Sequence, residues 1–205
     1  PTGYSRSDDY RTLLVAPRDL KSQLIDLIEH EASFGPEGRI TLKCNSIADQ
    51  AIVEALYGAS ATGVRVECIV RGICTLRAGV PGLSDNIAVR CVLGRYLEHS
   101  RIYRFEHGEY VDGTAADQPM YLIGSADLMP RNLARRVEVL VASERPKHRK
   151  LLGQVLSFGL SPDVVRWELQ PDDSWDRCGP VDRFEPDAQE LMYRWTVDRQ
   201  QQARR

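Results

Sequence analysis

The residues best suited to chemistry fall between His99 and Glu138. His99-Ser100-Arg101 puts an imidazole two positions from a guanidinium, so on an extended chain both side chains project to one face. The apolar run Tyr121-Leu122-Ile123 then ends in Gly124-Ser125-Ala126-Asp127. Glycine there permits close approach of the backbone to a ligand, while Ser125 and Asp127 can hold a nearby histidine or cap a turn. Arg131, Asn132, Arg135 and Arg136 follow, ahead of Val137-Glu138-Val139-Leu140-Val141. Such arginines often make a solvated face, but Arg136 at the mouth of a buried strand suits bidentate contact with phosphate. Arg71, backed by Gly72, closes the apolar run Val64–Val70, and ligands of open α/β sheets bind beyond the carboxyl ends of strands. A proton-transfer group, cations and hydrogen-bond donors together suit a phosphate ester or anhydride. The expectation is that His99, Arg71 and Arg136 converge on one anion-receiving hollow. His30, His107 and His148 are read as structural or solvated.

The elements that must position these residues alternate. Arg11–Ala16 reads as a buried strand and Arg18–Ser33 as a helix, with Leu20, Leu24, Leu27 and Ile28 on one face. Arg39–Asn45 reads as a strand. A helix follows, capped by Ser46 or Asp49 and ending near Gly63, and Val64–Val70 is a third strand. Strand-helix-strand-helix-strand predicts an α/β fold of parallel strands with right-handed crossovers. Ile87–Val92 is a short strand. Arg101–Phe105 and Met120–Ile123 form an antiparallel pair, and Val137–Val141 is a further strand. Pro146–Phe158 is a helix burying Leu151, Leu152, Val155 and Leu156, and Val164–Leu169 is an edge strand. Residues 170–186 read as irregular, and a last helix runs from Pro186 to Gln201.

Bulk properties narrow the class. The 205 residues, 42% hydrophobic and 27% charged, are ordinary for a globular protein, and a net charge of −2 argues against broad wrapping of nucleic acid. No apolar run approaches the ~20 residues of a membrane helix. The five cysteines form no C-x-x-C pair and read as free thiols of a reducing cytosol, with no zinc-ligand spacing. The chain starts at Pro1, so it is expected to be a piece of a longer polypeptide.

His-x-(Lys/Arg), a strand, Gly-Ser-x-(Asn/Asp), Arg and Val-Glu, in that order, resemble one half of a phospholipase D-type site, with Arg101 in place of Lys and Asp127 in place of Asn. Val70-Arg71-Gly72-Ile73-Cys74, Pro81–Ile87, Leu97–Tyr103 and Gly124–Asn132 with Arg136-x-Glu138 together resemble the C-terminal domain of the long bacterial polyphosphate kinases, over about residues 10–160. The resemblance implies a phospholipase D-like mixed β-sheet flanked by helices on both faces. Residues 1–10 would be a linker from a preceding domain, 11–169 the catalytic domain, and 170–205 an irregular segment plus helix. It also implies reversible transfer of the ATP γ-phosphate to inorganic polyphosphate, with Mg²⁺ held mainly outside this chain and by the ATP phosphates. Arg71, His99 and Arg136 would contact nucleotide or polyphosphate, with His99 stabilising the transferring group. Arg101, Ser125, Asp127, Arg131 and Asn132 would shape the site. The phosphorylated histidine belongs to the preceding domain, so this chain alone would be inactive. The implied setting is a homo-oligomer in the cytoplasm, with peripheral membrane association open. The alternatives are a dimeric phospholipase D-type phosphodiesterase and a non-catalytic polyanion-binding module.

Overall fold

Alternating burial along short apolar runs sets this architecture. The computed structural model describes residues 10, 12–109, 119–180 and 187–203. In chain order its elements are β1 (Leu13–Ala16), α1 (Leu20–Ala32), β2 (Arg39–Cys44), α2 (Gln50–Ala61), β3 (Arg65–Val70), β4 (Ile87–Cys91), β5 (Ile102–Phe105) and β6 (Met120–Gly124). They continue with α3 (Pro130–Ala134), β7 (Glu138–Ala142), α4 (Pro146–Leu160), β8 (Arg166–Leu169), β9 (Trp175–Cys178) and α5 (Ala188–Ala203). The strands make one mixed sheet in the order β1-β7-β6-β5-β2-β3-β4-β8-β9. β2, β3 and β4 are parallel neighbours; the other pairings are antiparallel.

Successive side chains of a strand point to opposite faces. Ile40, Leu42 and Cys44 of β2, Val66, Cys68 and Val70 of β3, and Tyr103 and Phe105 of β5 point to one side. There Leu20, Leu24, Leu27 and Ile28 of α1, Ile52 and Leu56 of α2 and Leu133 of α3 close the main core. Ile69, Ile102 and Tyr121 point the other way and meet Leu156 of α4, flanked by Leu152 and Val155. Each fully buried Leu or Ile contributes about 1.5–3 kcal/mol. Helices therefore cover both faces, as expected. Asp49 caps α2 by accepting from the Ile52 N–H. None of the described helices is long and apolar enough to cross a membrane.

Several expectations need correction. β1 does not lie beside β2; it pairs antiparallel with β7 at the sheet's edge, with Leu13 opposite Val141. β1 is buried only at alternate residues, whereas β2 is buried almost throughout, a difference that a four-residue apolar run does not reveal. Residues 170–178 are not irregular: a turn leads into β9, which pairs with β8 and displaces it from the edge. β9 is mostly exposed and polar, so it lacks the alternation that marks a strand. Leu151 is exposed; Leu156 is buried as expected, Leu152 and Val155 are partly buried beside it, and Gly159 is buried as well. Residues 1–9 of the expected linker, and 181–186, lie outside the described residues.

Candidate active site

Strand direction decides which residues share a rim. β2, β3 and β6 end, and the antiparallel β5 and β7 begin, on the same edge of the sheet. Asn45, Arg71, Asp127, the His99–Arg101 segment and Arg136 all emerge there.

A carboxylate organises the rim. Asp127 Oδ1 accepts from the Asn45 backbone N–H at 2.8 Å, from Arg101 Nε at 3.1 Å and from Asn45 Nδ2 at 3.2 Å. Its Oδ2 accepts from Arg101 Nη2 at 2.8 Å and from Asn45 Nδ2 at 3.3 Å. Burial alone raises a carboxyl pKa, but the hydrogen bonds from Arg101 and Asn45 outweigh it and hold Asp127 below the usual carboxylate range. Those to Asp127 raise Arg101 in turn. Asp127 is thus an ionised anchor with its oxygens already engaged, which leaves it poorly suited to act as a base. Nor is it a helix cap, since Met129 occupies that position of α3.

Arg101 spans from this anchor to His99. Its Nη1 donates to the His99 carbonyl at 3.2 Å, and Nη1 and Nη2 lie 3.0 and 3.2 Å from His99 Nδ1 and Nε2. A neutral imidazole has one bare nitrogen, so the guanidinium edge satisfies one lone pair and lies across the other nitrogen. The ring itself is exposed at the rim.

Backbone bonds stitch the neighbouring loops together. The Asn45 carbonyl accepts from Gly72 N–H at 2.7 Å, and Cys44's from Arg71 N–H at 3.4 Å. Ile47 donates to Ile73 at 2.8 Å, Leu128 donates to Ser46 at 3.0 Å, and the Leu128 carbonyl accepts from Ala48 and Asp49 at 2.8 and 2.9 Å. One continuous bonded path therefore runs from Gly72 through Asn45, Asp127 and Arg101 to His99.

Gly124 and Ser125 act differently from expectation. A Cβ on Gly124 would sit 1.9 Å from the Val139 carbonyl oxygen, so the close approach is to β7 and not to a ligand. Ser125 donates its N–H to the Val139 carbonyl at 3.0 Å and accepts from the Val139 N–H through Oγ at 3.2 Å, finishing the β6–β7 ladder. Asn132 Nδ2 donates to buried Glu138 at 2.7 Å, and the Glu138 charge reaches Arg101. The Asn132 Oδ1 is buried and has no partner among the described residues.

His99, Arg101 and Asp127 are in direct contact. Arg71 follows β3, two strands to one side of β5, and Arg136 precedes β7, two strands to the other. At about 4.8 Å per strand, each lies about 10 Å along the rim from the strand that bears His99. Arg71 is half-buried, and Arg131 and Arg136 are exposed; their guanidiniums have no hydrogen-bond or ion-pair partner among the described residues. Asn45 and Glu138 were not among the expected site residues. Asn45 carries the same signal as Arg71, a polar residue closing a buried strand.

No group of three or more His, Cys, Asp or Glu among the described residues is arranged to hold a metal ion. All five cysteines are free, and burial pushes the Cys44 and Cys68 thiols up. His107 lies at the opposite end of the sheet, its Nδ1 3.0 Å from buried Glu31 and its ring stacked on Phe34 at 4.0 Å, in keeping with a structural role.

The family described as "Polyphosphate kinase C-terminal domain 2" matches residues 13–189. The polyphosphate kinase of Streptomyces coelicolor is 48% identical over 179 residues, covering 86% of this chain and 23% of that protein. That of Mycobacterium tuberculosis (strain ATCC 25177 / H37Ra) is 45% identical over 181 residues, covering 85% and 23%. The crystal structure of the Porphyromonas gingivalis polyphosphate kinase aligns with a TM-score of 0.81 at 30% identity, covering 95% of this chain and 29% of that one. A phospholipase D family member, Nuc from Salmonella typhimurium, aligns more weakly, with a TM-score of 0.49 at 14% identity over 83% of this chain and 99% of that one. The chain thus spans 23% of the length of these curated relatives.

Proposed function

We propose, on the premise that this chain belongs to the polyphosphate kinase C-terminal domain 2 family, that it forms one wall of a site for reversible phosphoryl transfer between ATP and inorganic polyphosphate. What supports the reading is the bonded path from Gly72 through Asn45, Asp127 and Arg101 to His99, on a rim flanked by the guanidiniums of Arg71 and Arg136. Phosphoryl transfer asks little covalent chemistry of most residues; it needs in-line positioning and fixed positive charge. Arg71 and Arg136 span about 19 Å, four strand spacings, with His99 between them. That span suits a chain of phosphates better than a single one.

In this reading Arg71 and Arg136 bind phosphate oxygens on either side, and His99 donates to, or stabilises charge on, the group in transfer. Arg101 fixes the imidazole's orientation and adds positive charge beside it. Asp127 and Asn45 hold Arg101, and the Asn132–Glu138 pair and Arg131 shape the wall beyond. The phosphorylated histidine and the rest of the site belong to the remaining domains of a longer cytoplasmic polypeptide, which assembles as a homo-oligomer. The ATP phosphates would carry Mg²⁺, which would supply Lewis-acid charge there. Asp127 and Glu138 already face donors, so neither is assigned as its ligand.

The test is His99→Ala in the full-length enzyme. Loss of a proton-transfer or charge-stabilising group should lower kcat by about 10²–10⁴ with the KM for ATP little changed. The 205-residue chain alone should make no polyphosphate. Undiminished kcat in the variant, polyphosphate synthesis by the isolated chain, or ATP-independent diester cleavage would each sink the reading.

A further inference from the structure

His99 arrives at the rim on the loop between β4 and β5, residues 92–101. This loop has little burial to hold it: Tyr96 is 64% exposed and Leu97 79%. Val92 at its start packs against the cluster of Ile69 and Ile102, but a loop that carries a reacting group beyond so exposed a tip must be fixed there by polar contacts. The contacts nearest His99 come from its own loop, from Arg101 and from Lys43 of β2. Glu98 pairs with Lys43 at 3.4 Å and accepts from Ser100 Oγ at 2.6 Å, and Arg101 donates to the His99 carbonyl.

The remaining hold comes from far away in the sequence. The Gln189 Nε2 donates to the Tyr96 carbonyl at 2.7 Å, and the Tyr96 N–H donates to Gln189 Oε1 at 2.8 Å. One side-chain amide thus closes a two-bond ring with one loop residue, the pattern a neighbouring strand would make. Arg95 pairs with Glu190 at 2.9 Å beside it. Gln189 sits in the first turn of α5, and α5 is seated on α4 through Trp195 against Phe158. Gly94 completes the fit: a Cβ there would lie 2.2 Å from Gln189 Oε1.

We propose that Gln189 is a positioning residue for His99, holding the β4–β5 loop so that the imidazole meets Arg101 and the transferring phosphoryl group. The proposal rests on the role given to His99 above. Gln189 touches no reacting atom; it acts by limiting where the two residues that separate Tyr96 from His99, Leu97 and Glu98, can place the ring. Small misplacements of a catalytic group cost rate steeply.

The experiment is a set of steady-state measurements on the full-length enzyme carrying Gln189→Ala, Gln189→Glu, Gly94→Ala, His99→Ala and the double variant His99→Ala/Gln189→Ala. Gln189→Ala should lower kcat about tenfold, equivalent to about 1.4 kcal/mol of barrier, with the KM for ATP within about twofold. Gln189→Glu keeps an acceptor for the Tyr96 N–H and loses the donor, so its kcat should fall between. Gly94→Ala reaches the same contact from the loop side, displacing the amide without altering α5, and should match Gln189→Ala. In the His99→Ala background, Gln189→Ala should cost nothing further, because its effect runs through the imidazole. An equal loss with or without His99 would show a general structural role and overturn the proposal, as would unchanged kcat in both Gln189→Ala and Gly94→Ala. If His99→Ala itself keeps full kcat, the functional reading falls and the proposal with it. An impaired His99→Ala beside a fully active Gln189→Ala removes the positioning role alone.

Discussion

Replacing Asp127 by Asn keeps the side chain's shape and removes its charge. The Asp127 and Arg101 side chains are only 11% and 10% exposed. The amide oxygen can keep the contacts of Oδ1 to Asn45 N–H and Arg101 Nε, but an NH₂ then faces Arg101 Nη2 where Oδ2 had accepted at 2.8 Å. Breaking one side of a buried pair costs about 3–5 kcal/mol. The retained oxygen puts this case near the low end, about 3 kcal/mol, or roughly 6–12 °C in Tm for a chain of this size. The pH dependence has a fixed sign. Asp127 is depressed in the folded state, so its contribution is present above the unfolded carboxyl pKa of about 3.9. It is lost as pH falls through the lower folded value. Urea unfolding of the purified chain and of Asp127→Asn, followed by tryptophan fluorescence from pH 7 down to about pH 3, should show a gap that is constant at neutral pH and narrows below about pH 4. Equal midpoints at pH 7, or a gap that persists undiminished in acid, would refute the assignment of Asp127 as an ionised anchor.

Two further substitutions separate scaffold from site. Gly124→Ala forces a Cβ into the Val139 carbonyl; because backbone cannot yield as a side chain does, the loss should reach or exceed the ~1–3 kcal/mol of overpacking, read as a drop in Tm. Glu31→Ala leaves the N–H groups of Arg39 and His107 without their acceptor and should cost about 1–3 kcal/mol for each group that water does not reach. That variant, measured in the full-length enzyme, should keep the wild-type kcat, because Glu31 lies at the end of the sheet opposite His99.

Much of the scaffold was legible because the helices α1, α2 and α4 carry strong apolar stripes and β2, β3 and β5 are bounded by turn residues. What stayed hidden depends on partners distant in sequence. β1 is a short apolar run whose neighbour, β7, is formed by Glu138–Ala142, and no local pattern separates an edge strand from a central one. β9 carries no alternation to read. At the site, residue type and strand ends pointed to Arg71, His99 and Asp127. Asn45 closes a buried strand as Arg71 does, but no local signal showed that it meets Asp127 across 82 positions. Gln189 reaches Tyr96 across 93. The glycine of Gly124-Ser125 was noticed for a valid reason, close backbone approach, but the approaching group proved to be a strand.

The central claim, that Arg71, His99 and Arg136 receive one phosphate chain along the rim, is tested most directly by titrating the ¹⁵N-labelled chain with tripolyphosphate and following amide and imidazole resonances. The expected result is saturable shifts at Arg71–Ile73, His99 and Arg136, with little change in the basic cleft between α4 and α5 lined by Lys147, Lys150, Trp195 and Arg199. Saturable shifts that map to that cleft and leave His99 unmoved would contradict it.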